Sequence, residues 1–150
     1  MPGKNQQIQR HIEQGRTIQP DGYVHGVIVG CQHKNGRWLL IRRSQTVAAP
    51  LKVCFPGGGV DANETQSEAA IREMQEEVGA IVKPLDCVWR FNWTENALVL
   101  WGWHAKLLSS KVVANPEEVA EILWLTPDEI RSHPDTMPRT GVFLEALINR

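Results

Sequence analysis

Apolar runs alternate along the chain with polar, glycine-rich or proline-rich breaks, and the length and period of each run predict the elements. The opening stretch, MPGKNQQIQRHIEQG, is polar apart from Ile8 and Ile12. These two lie four apart, which suits one short helix docked on a body, and the same stretch also reads as a frayed tail. The β-branched run YVHGVIV (Tyr23 to Val29) and RWLLIRR (Arg37 to Arg43) flank the polar link QHKNG and predict two strands joined by a turn. VAAPLKVCFPGGG then breaks regular structure at Pro50 and Pro56.

The segment from Thr65 to Gly79 predicts a helix over Gln66 to Val78. Thr65 and Glu68 have capping-box spacing, Gly79 suits a left-handed C-cap, and SEAAIREMQEE holds no Pro or Gly. Beyond it, AIVKPLDCVWRFNW and ALVLWGWHAKLL read as two long strands around the turn TEN, and EVAEILWL as another strand entered from ANPEE. TPDEIRSH opens a short helix with Thr126 as N-cap, Pro127 at the first position and Glu129 at the third. RTGVFLEALINR predicts a last helix that covers a sheet face with Val142, Leu144, Ala146, Leu147 and Ile148. There are no internal repeats. The order of strands, helix, strands, helices gives an α/β fold, a mixed sheet with helices packed on it.

Composition narrows the class. A chain of 150 residues, 42% hydrophobic and 22% charged, fits a single domain over residues 1–150, with residues 1–20 as an N-terminal extension. Sixteen Lys and Arg against seventeen Asp and Glu leave a net charge of -1, so no basic field attracts nucleic-acid polymers. Cys31, Cys54 and Cys87 have no CxxC spacing and apolar neighbours, and are expected as buried, reduced thiols. No signal-peptide core and no membrane-length apolar run is present, so a cytoplasmic protein is expected.

The acid within the long helix is the candidate chemistry. At about 100° per residue, Ile71, Met74 and Val78 gather on one side, and Glu73, Glu76 and Glu77 almost opposite. Arg72 lies next to Glu73 and one turn before Glu76, and Ala69 leaves room for a backbone to approach. A Glu-rich helix face is ordinarily solvated surface. Here the carboxylates repel one another, and their helix is preceded by the glycine-rich turn Gly57 to Gly59, where backbone can approach an ion closely. Mg²⁺ is held by a few carboxylates, waters and substrate phosphates.

The spacing is Gly58, five residues, Glu64, seven residues, then Arg72-Glu73-Met74-x-Glu76-Glu77-x-Gly79-Ala80. It resembles the Nudix box, G-x5-E-x7-R-E-U-x-E-E-x-G-U with U a bulky aliphatic, and departs from it only at Ala80, beside which Ile81 can supply the packing. The resemblance implies an α/β/α sandwich with a central mixed sheet, a loop-helix-loop site, and hydrolysis of nucleoside diphosphates linked to another group, with Mg²⁺ or Mn²⁺. It casts Glu76 and Glu77 as principal metal ligands, Glu73 as a further ligand or the general base, and the Gly58 carbonyl as a backbone ligand. Arg72 would orient Glu73, and Glu64 would brace the loop or reach a metal through water. An acid from a later loop also belongs to such sites, and Glu118 is chosen over Glu117 and Glu121 because it precedes the strand.

Arg42 and Arg43 are candidates for phosphate, Trp93 and Trp101 for lining a substrate pocket, and Trp38 and Trp124 for the core. Each pair of alternating tryptophans, Trp89 with Trp93 and Trp101 with Trp103, is expected to share a face. The five histidines lack ligand spacing and are expected as structural. No Ser-His-Asp or Cys-His arrangement stands out. Among the family's secondary signatures, the ADP-ribose proline is Glu95 here, the only tyrosine is Tyr23, and LLIRRS matches the coenzyme A signature faintly. A small nucleotide, first a nucleoside triphosphate as for MutT-like enzymes, is therefore expected for a monomer or homodimer. The alternatives are a nucleotide sugar, a dinucleoside polyphosphate, or a non-enzymatic binding module, which such modules' usual loss of box glutamates disfavours.

Overall fold

In a computed structural model that describes residues 3–150, VHGVIVGC forms strand β1 (Val24–Cys31), buried along nearly its whole length. A strand covered on both faces belongs inside a sheet. β1 is flanked by β4 (Gly57–Gly59), antiparallel, and by β6 (Leu98–Leu107), parallel to it from Val24 opposite Leu98 to Cys31 opposite Ala105. β5 (Val82–Trp93) pairs antiparallel with β6 and completes a four-stranded mixed sheet in the order β4-β1-β6-β5. A second, antiparallel sheet has the order β3-β2-β7, from β3 (Val53–Cys54), β2 (Trp38–Arg43) and β7 (Val119–Leu125). The first two predicted strands thus enter different sheets. Only a single bridge, Gln32 to Trp38, joins them, because both long edges of β1 are taken by β4 and β6.

Side-chain alternation along β1 separates two cores. Val27, Val29 and Cys31 pack with Ala69, Ala70, Met74 and Val78 of helix α2 (Gln66–Val78). Ile28 faces the other way, against Phe143, Leu144 and Leu147 of helix α4 (Pro138–Ile148). Glycine lets α4 approach: a Cβ at Gly30 would lie 2.5 Å from Leu147 Cδ1, and one at Gly102 2.5 Å from Phe143 Cε1. Helices therefore cover both sides of the sheet, the expected α/β/α layering. The short helix α3 (Pro127–Ser132) follows β7 and carries the anticipated capping box of Thr126 and Glu129.

Several faces differ from the periodicity. On α2 the buried arc is Ala69, Ala70, Met74, Glu77 and Val78, and Ile71 is 45% exposed. Weighting by side-chain size misplaces the arc, since close packing on the sheet favours the small alanines. On α4, Phe143 joins Leu144 and Leu147 inside, while Val142 and Ile148 face outward. The N-terminal stretch forms α1 (Lys4–Glu13), and it docks through polar rather than apolar groups. Ile12 is exposed, whereas buried His11 donates from Nε2 to the Asn96 carbonyl at 2.7 Å and Arg16 donates to its Nδ1 at 3.1 Å. Of the thiols Cys31 is buried, Cys54 partly so, and Cys87 is exposed on edge strand β5; all three are free. Trp38 is core, but Trp124 is only half-buried. Among the described residues, no helix is long and apolar enough to cross a membrane.

Candidate functional site

The quoted box folds into a strand, a loop and a helix because each end is fixed locally. Thr65 accepts from the Glu68 N–H and Glu68 returns a bond to the Thr65 N–H, while Gly79 closes the helix at φ 59°. β4 lies this close to β1 because Gly57 has no side chain: a Cβ there would stand 2.0 Å from the Val27 carbonyl. At Gly58 the space a side chain would need is filled by a functional group. Its Cβ would fall 2.2 Å from the carboxyl carbon of Glu73.

Arg72 organises the acid, and all five of its N–H groups find acceptors. Nε and Nη2 clasp the two oxygens of Glu64 at 2.8 and 2.9 Å, and Nη2 also reaches the Gly59 carbonyl at 2.8 Å. Nη1 takes Glu73 Oε1 at 2.8 Å and Glu76 Oε2 at 3.3 Å. Asp61 adds a further carboxylate at 3.4 Å. Glu64 is thereby held below the usual carboxylate range, chiefly by its bond from Arg72.

The other carboxyls are graded in depth rather than spread on one solvent face. Glu76 is half exposed, Glu73 retains 12% of its side-chain surface, and Glu77 is buried with its Oε1 on the Gly57 N–H at 3.1 Å. Burial pushes Glu73 up to about 7, against the pull of Arg72, and the charges of Glu76 and Glu118 raise it further. Glu77 rises to about 8, first through burial and then through Glu73, with Glu118 adding to the effect and the Gly57 N–H and Arg43 opposing it. Glu118 thus lies within electrostatic reach of both, brought there by the segment before β7, whose Val113 and Asn115 N–H groups bond the Val78 and Glu77 carbonyls.

As the side chains stand, no three His, Cys, Asp or Glu among the described residues converge tightly enough to enclose an ion. The donor chemistry nonetheless fits a hard divalent cation. Two buried carboxyls beside a third are not neutralised by the cations near them, since Arg72 is shared among Glu64, Glu73 and Glu76 and Arg43 reaches Glu77 only by its charge, and carboxyls of this kind suit a metal that takes them ionised. Gly58 enters the site through its backbone and through its missing side chain. Bonds from Val29 N to Pro56 O and from Val60 N to His25 O bracket Val27 opposite Gly58 as a bonded pair of the ladder. The Gly58 carbonyl is therefore turned toward β1, with one lone pair remaining, and the missing side chain is what admits Glu73.

The remaining candidates divide. Arg42 is committed to Asp135 and the Leu51 carbonyl, both at 2.9 Å, and is turned away from the acid cluster. Arg43 bonds the Ala48 carbonyl at 2.6 Å, and its charge reaches Glu77 and the Cys54 thiol. Trp93 and Trp101 do not line one pocket. Arg90 lies opposite Trp101 in the β5–β6 register and Phe91 opposite Leu100, so Trp93, two residues after Phe91, falls on the other face from Trp101. Trp101 is flanked by Arg90, 4.6 Å from its ring, and by a stacked His25; Trp93 lies 4.3 Å from the Arg139 guanidinium.

His25 is more than structural filling. Its Nδ1 accepts from the Trp101 indole N–H at 3.0 Å, so Nε2 carries the proton and donates to Asp21 at 2.7 Å. With Gln19, Asp21, Glu64 and Gln66 it borders an open hollow of about 450 Å³ beside the N-terminal end of α2. Asp61 sits near the acid cluster, 3.4 Å from Arg72, for reasons of loop geometry that no spacing along the chain announces.

Comparison with known proteins agrees with this geometry. Residues 23–147 match the family model of the NUDIX domain. The chain is 30% identical over 77 residues to the NAD-capped RNA hydrolase NudC of Pseudomonas aeruginosa, covering 51% of this chain and 28% of that one. It is 42% identical over 65 residues to the ADP-ribose pyrophosphatase of Methanocaldococcus jannaschii, covering 41% and 37%. The chain therefore spans about a quarter to two fifths of the length of these curated relatives. The crystal structure of a MutT protein from Methanosarcina mazei superposes with a TM-score of 0.75 at 25% identity, over 85% of this chain and 94% of that one. A match that takes in β1, the box helix and all but the end of α4 leaves one assignment: the chain belongs to the Nudix family.

Proposed function

We propose that the protein is a divalent-metal-dependent pyrophosphohydrolase, acting on a small nucleotide in which a nucleoside diphosphate is linked to a further group. The observation that carries this reading is the buried pair Glu73 and Glu77, held against the glycine strand and joined by the charge of Glu118. Glu76, Glu77 and Glu118 would hold Mg²⁺ or Mn²⁺, with the remaining lone pair of the Gly58 carbonyl available to it. When bound, the ion offsets phosphate charge and acidifies a water.

Glu73 is the proton acceptor in this proposal. Arg72 ties its Oε1 and leaves Oε2 beside the Gly58 Cα, and an acceptor poised near 7 suits catalysis at neutral pH. Glu64 acts through Arg72 by fixing the guanidinium that aims Glu73. Arg43 is the cation placed to meet a phosphate, whereas Arg42 braces β2. The chain would work as a monomer or homodimer in the cytoplasm, on free nucleotides rather than polymers.

A nucleoside triphosphate is the first candidate substrate, since the chain lacks the proline and tyrosine signatures of other subfamilies. The names of the relatives favour a second, a pyrophosphate diester such as ADP-ribose or a dinucleotide. Purified protein with Mg²⁺ or Mn²⁺, assayed against nucleoside triphosphates, ADP-ribose, NAD and dinucleoside polyphosphates, separates them. Pyrophosphate release marks the first and a nucleoside monophosphate without pyrophosphate the second. Absence of turnover across the panel with both metals would overturn the hydrolase reading.

A further inference from the structure

The outer edges of the two sheets are formed by β4, β5, β3 and β7. β4 and β3 are three and two residues long and β7 seven, whereas β5 runs for twelve, and its far side pairs with no other strand among the described residues. A long open edge invites another strand, and proteins blunt it with proline, lysine or a bulge. The first half of β5 is blunted in this way, by Lys83, Pro84 and register shifts between Pro84 and Asp86 and between Cys87 and Trp89. The second half is left open. Over residues 89–93 the ladder to β6 is regular, and the single charge there, Arg90, lies over the Trp101 ring of its own chain.

The ladders fix which peptide groups of this segment face outward. His25 and Val29 turn theirs to β4, through the bonds from Val60 N to His25 O and from Val29 N to Pro56 O, so Val24, Gly26 and Ile28 turn theirs to β6. In a parallel ladder each bonds the residues on either side of the one it faces, as the Val24 N–H, opposite Leu98, does on the Ala97 carbonyl at 2.9 Å. Val99 and Trp101 are therefore committed to β1, and Leu98, Leu100 and Gly102 bond β5 through Trp93, Phe91 and Trp89. Arg90 and Asn92, both exposed, keep an N–H and a C=O directed away from the sheet. The aromatic side chains share the α4 face and are half-buried: the Trp89 ring lies 5.9 Å from Phe143, and Phe91 and Trp93 lie 4.0 and 4.3 Å from the Arg139 guanidinium.

We propose that residues 89–93 of β5 form a homodimer interface, pairing antiparallel with the same segment of a second copy about a two-fold axis at Phe91 and joining the two four-stranded sheets into one. The sequence WRFNW is self-complementary about that axis. Arg90 falls opposite the partner's Asn92 as a bonded pair, so every outward N–H and C=O of these residues finds an acceptor or donor. Trp89 meets the partner's Trp93, and Phe91 the partner's Phe91, at the non-bonded positions where opposed side chains come closest, with Cβ atoms about 4.5–5.5 Å apart. An axis at Arg90 would instead set two guanidinium groups directly opposite each other. The interface does not rest on the hydrolase reading, since the acid cluster lies against β4, on the far side of β1 and β6 from β5.

The test is sedimentation equilibrium of the full chain over a range of concentrations, with amide hydrogen exchange followed at each. A reversible dimer is expected, and the Arg90 and Asn92 amides should gain protection as it forms. Asn92→Lys sets like charges directly opposite at both ends of the pairing and should weaken association about tenfold, with the monomer's thermal midpoint checked against the parent. Adding Arg90→Glu to that variant makes both pairs attractive and should restore association, a recovery that a damaged fold would not give. A chain that stays monomeric up to about 1 mM, the weak end of the affinity scale, overturns the interface. So does a dimer whose Arg90 and Asn92 amides stay unprotected, whose affinity is unchanged by Asn92→Lys, or whose loss in that variant the second substitution fails to recover.

Discussion

At the scale of single residues, the acid cluster depends on an absence, the side chain Gly58 lacks. In Gly58→Ala the new methyl falls on the Glu73 carboxyl carbon, so the carboxylate must swing out of the position in which Arg72 holds it. We expect turnover to fall at least as far as in Glu73→Gln, on the order of a hundredfold or more for a lost proton acceptor. Overpacking should also cost about 1–3 kcal/mol of stability. Steady-state kinetics and denaturant melts measure both, and a Gly58→Ala protein with parental activity would show that Glu73 does not act from this position. Arg72→Lys gives a second outcome. Lysine keeps the charge but loses the fork that holds Glu64 and Glu73 together, so kcat should fall with little change in KM. Which residues carry the acid was legible from spacing alone. Their depth was not, because a helical projection places Glu77 beside Glu73 and Glu76 without revealing that the strand of glycines covers it.

At the scale of elements, legibility followed locality. The bounds of α2 could be read to the residue because Thr65, Glu68 and Gly79 settle them within one turn. Thr65→Ala should therefore destabilise by about 1 kcal/mol, seen as a lowered thermal midpoint with the metal-dependent activity preserved at low temperature. Sheet membership depends on partners far along the chain, and nothing within VHGVIVGC or WLLIRR states that one joins β6 and the other β7. The same limit applies to Trp93 and Trp101. Their separation on opposite faces is set by the β5–β6 register, regular from Trp89 opposite Gly102 to Trp93 opposite Leu98, which alternation within either strand alone does not state. Gly30 and Gly102 were also silent in the sequence, although together they set the distance of α4 from the sheet. Gly102→Ala would drive a methyl to 2.5 Å from the Phe143 ring, and a loss of about 1–3 kcal/mol is expected by chemical denaturation.

At the scale of the whole molecule, the buried carboxyls tie stability to pH and metal. Glu73 and Glu77, raised from 4.5 to about 7 and about 8, bind protons more tightly folded than unfolded. Their stabilising contribution is thus fully present below the unfolded value and is lost as pH rises through 7 and 8. His104 has the opposite slope: its depressed pKa makes the fold gain stability as pH climbs through 6.5. The window from 7 to 8.5 separates them, since His104 is neutral in both states there. Without metal, the thermal midpoint should fall across this window, and the fall should shrink in Glu77→Gln, which has no proton to lose. Saturating Mg²⁺ replaces the protons with an ion held by the charged forms, so the midpoint should rise more at pH 8 than at pH 6, with proton release measurable by calorimetry in buffers of different ionisation enthalpy. A metal-free midpoint that climbs from pH 7 to 8.5 would mean that the two carboxyls are already ionised in the fold. The case for a cluster that waits on a cation would then fail for the molecule as a whole.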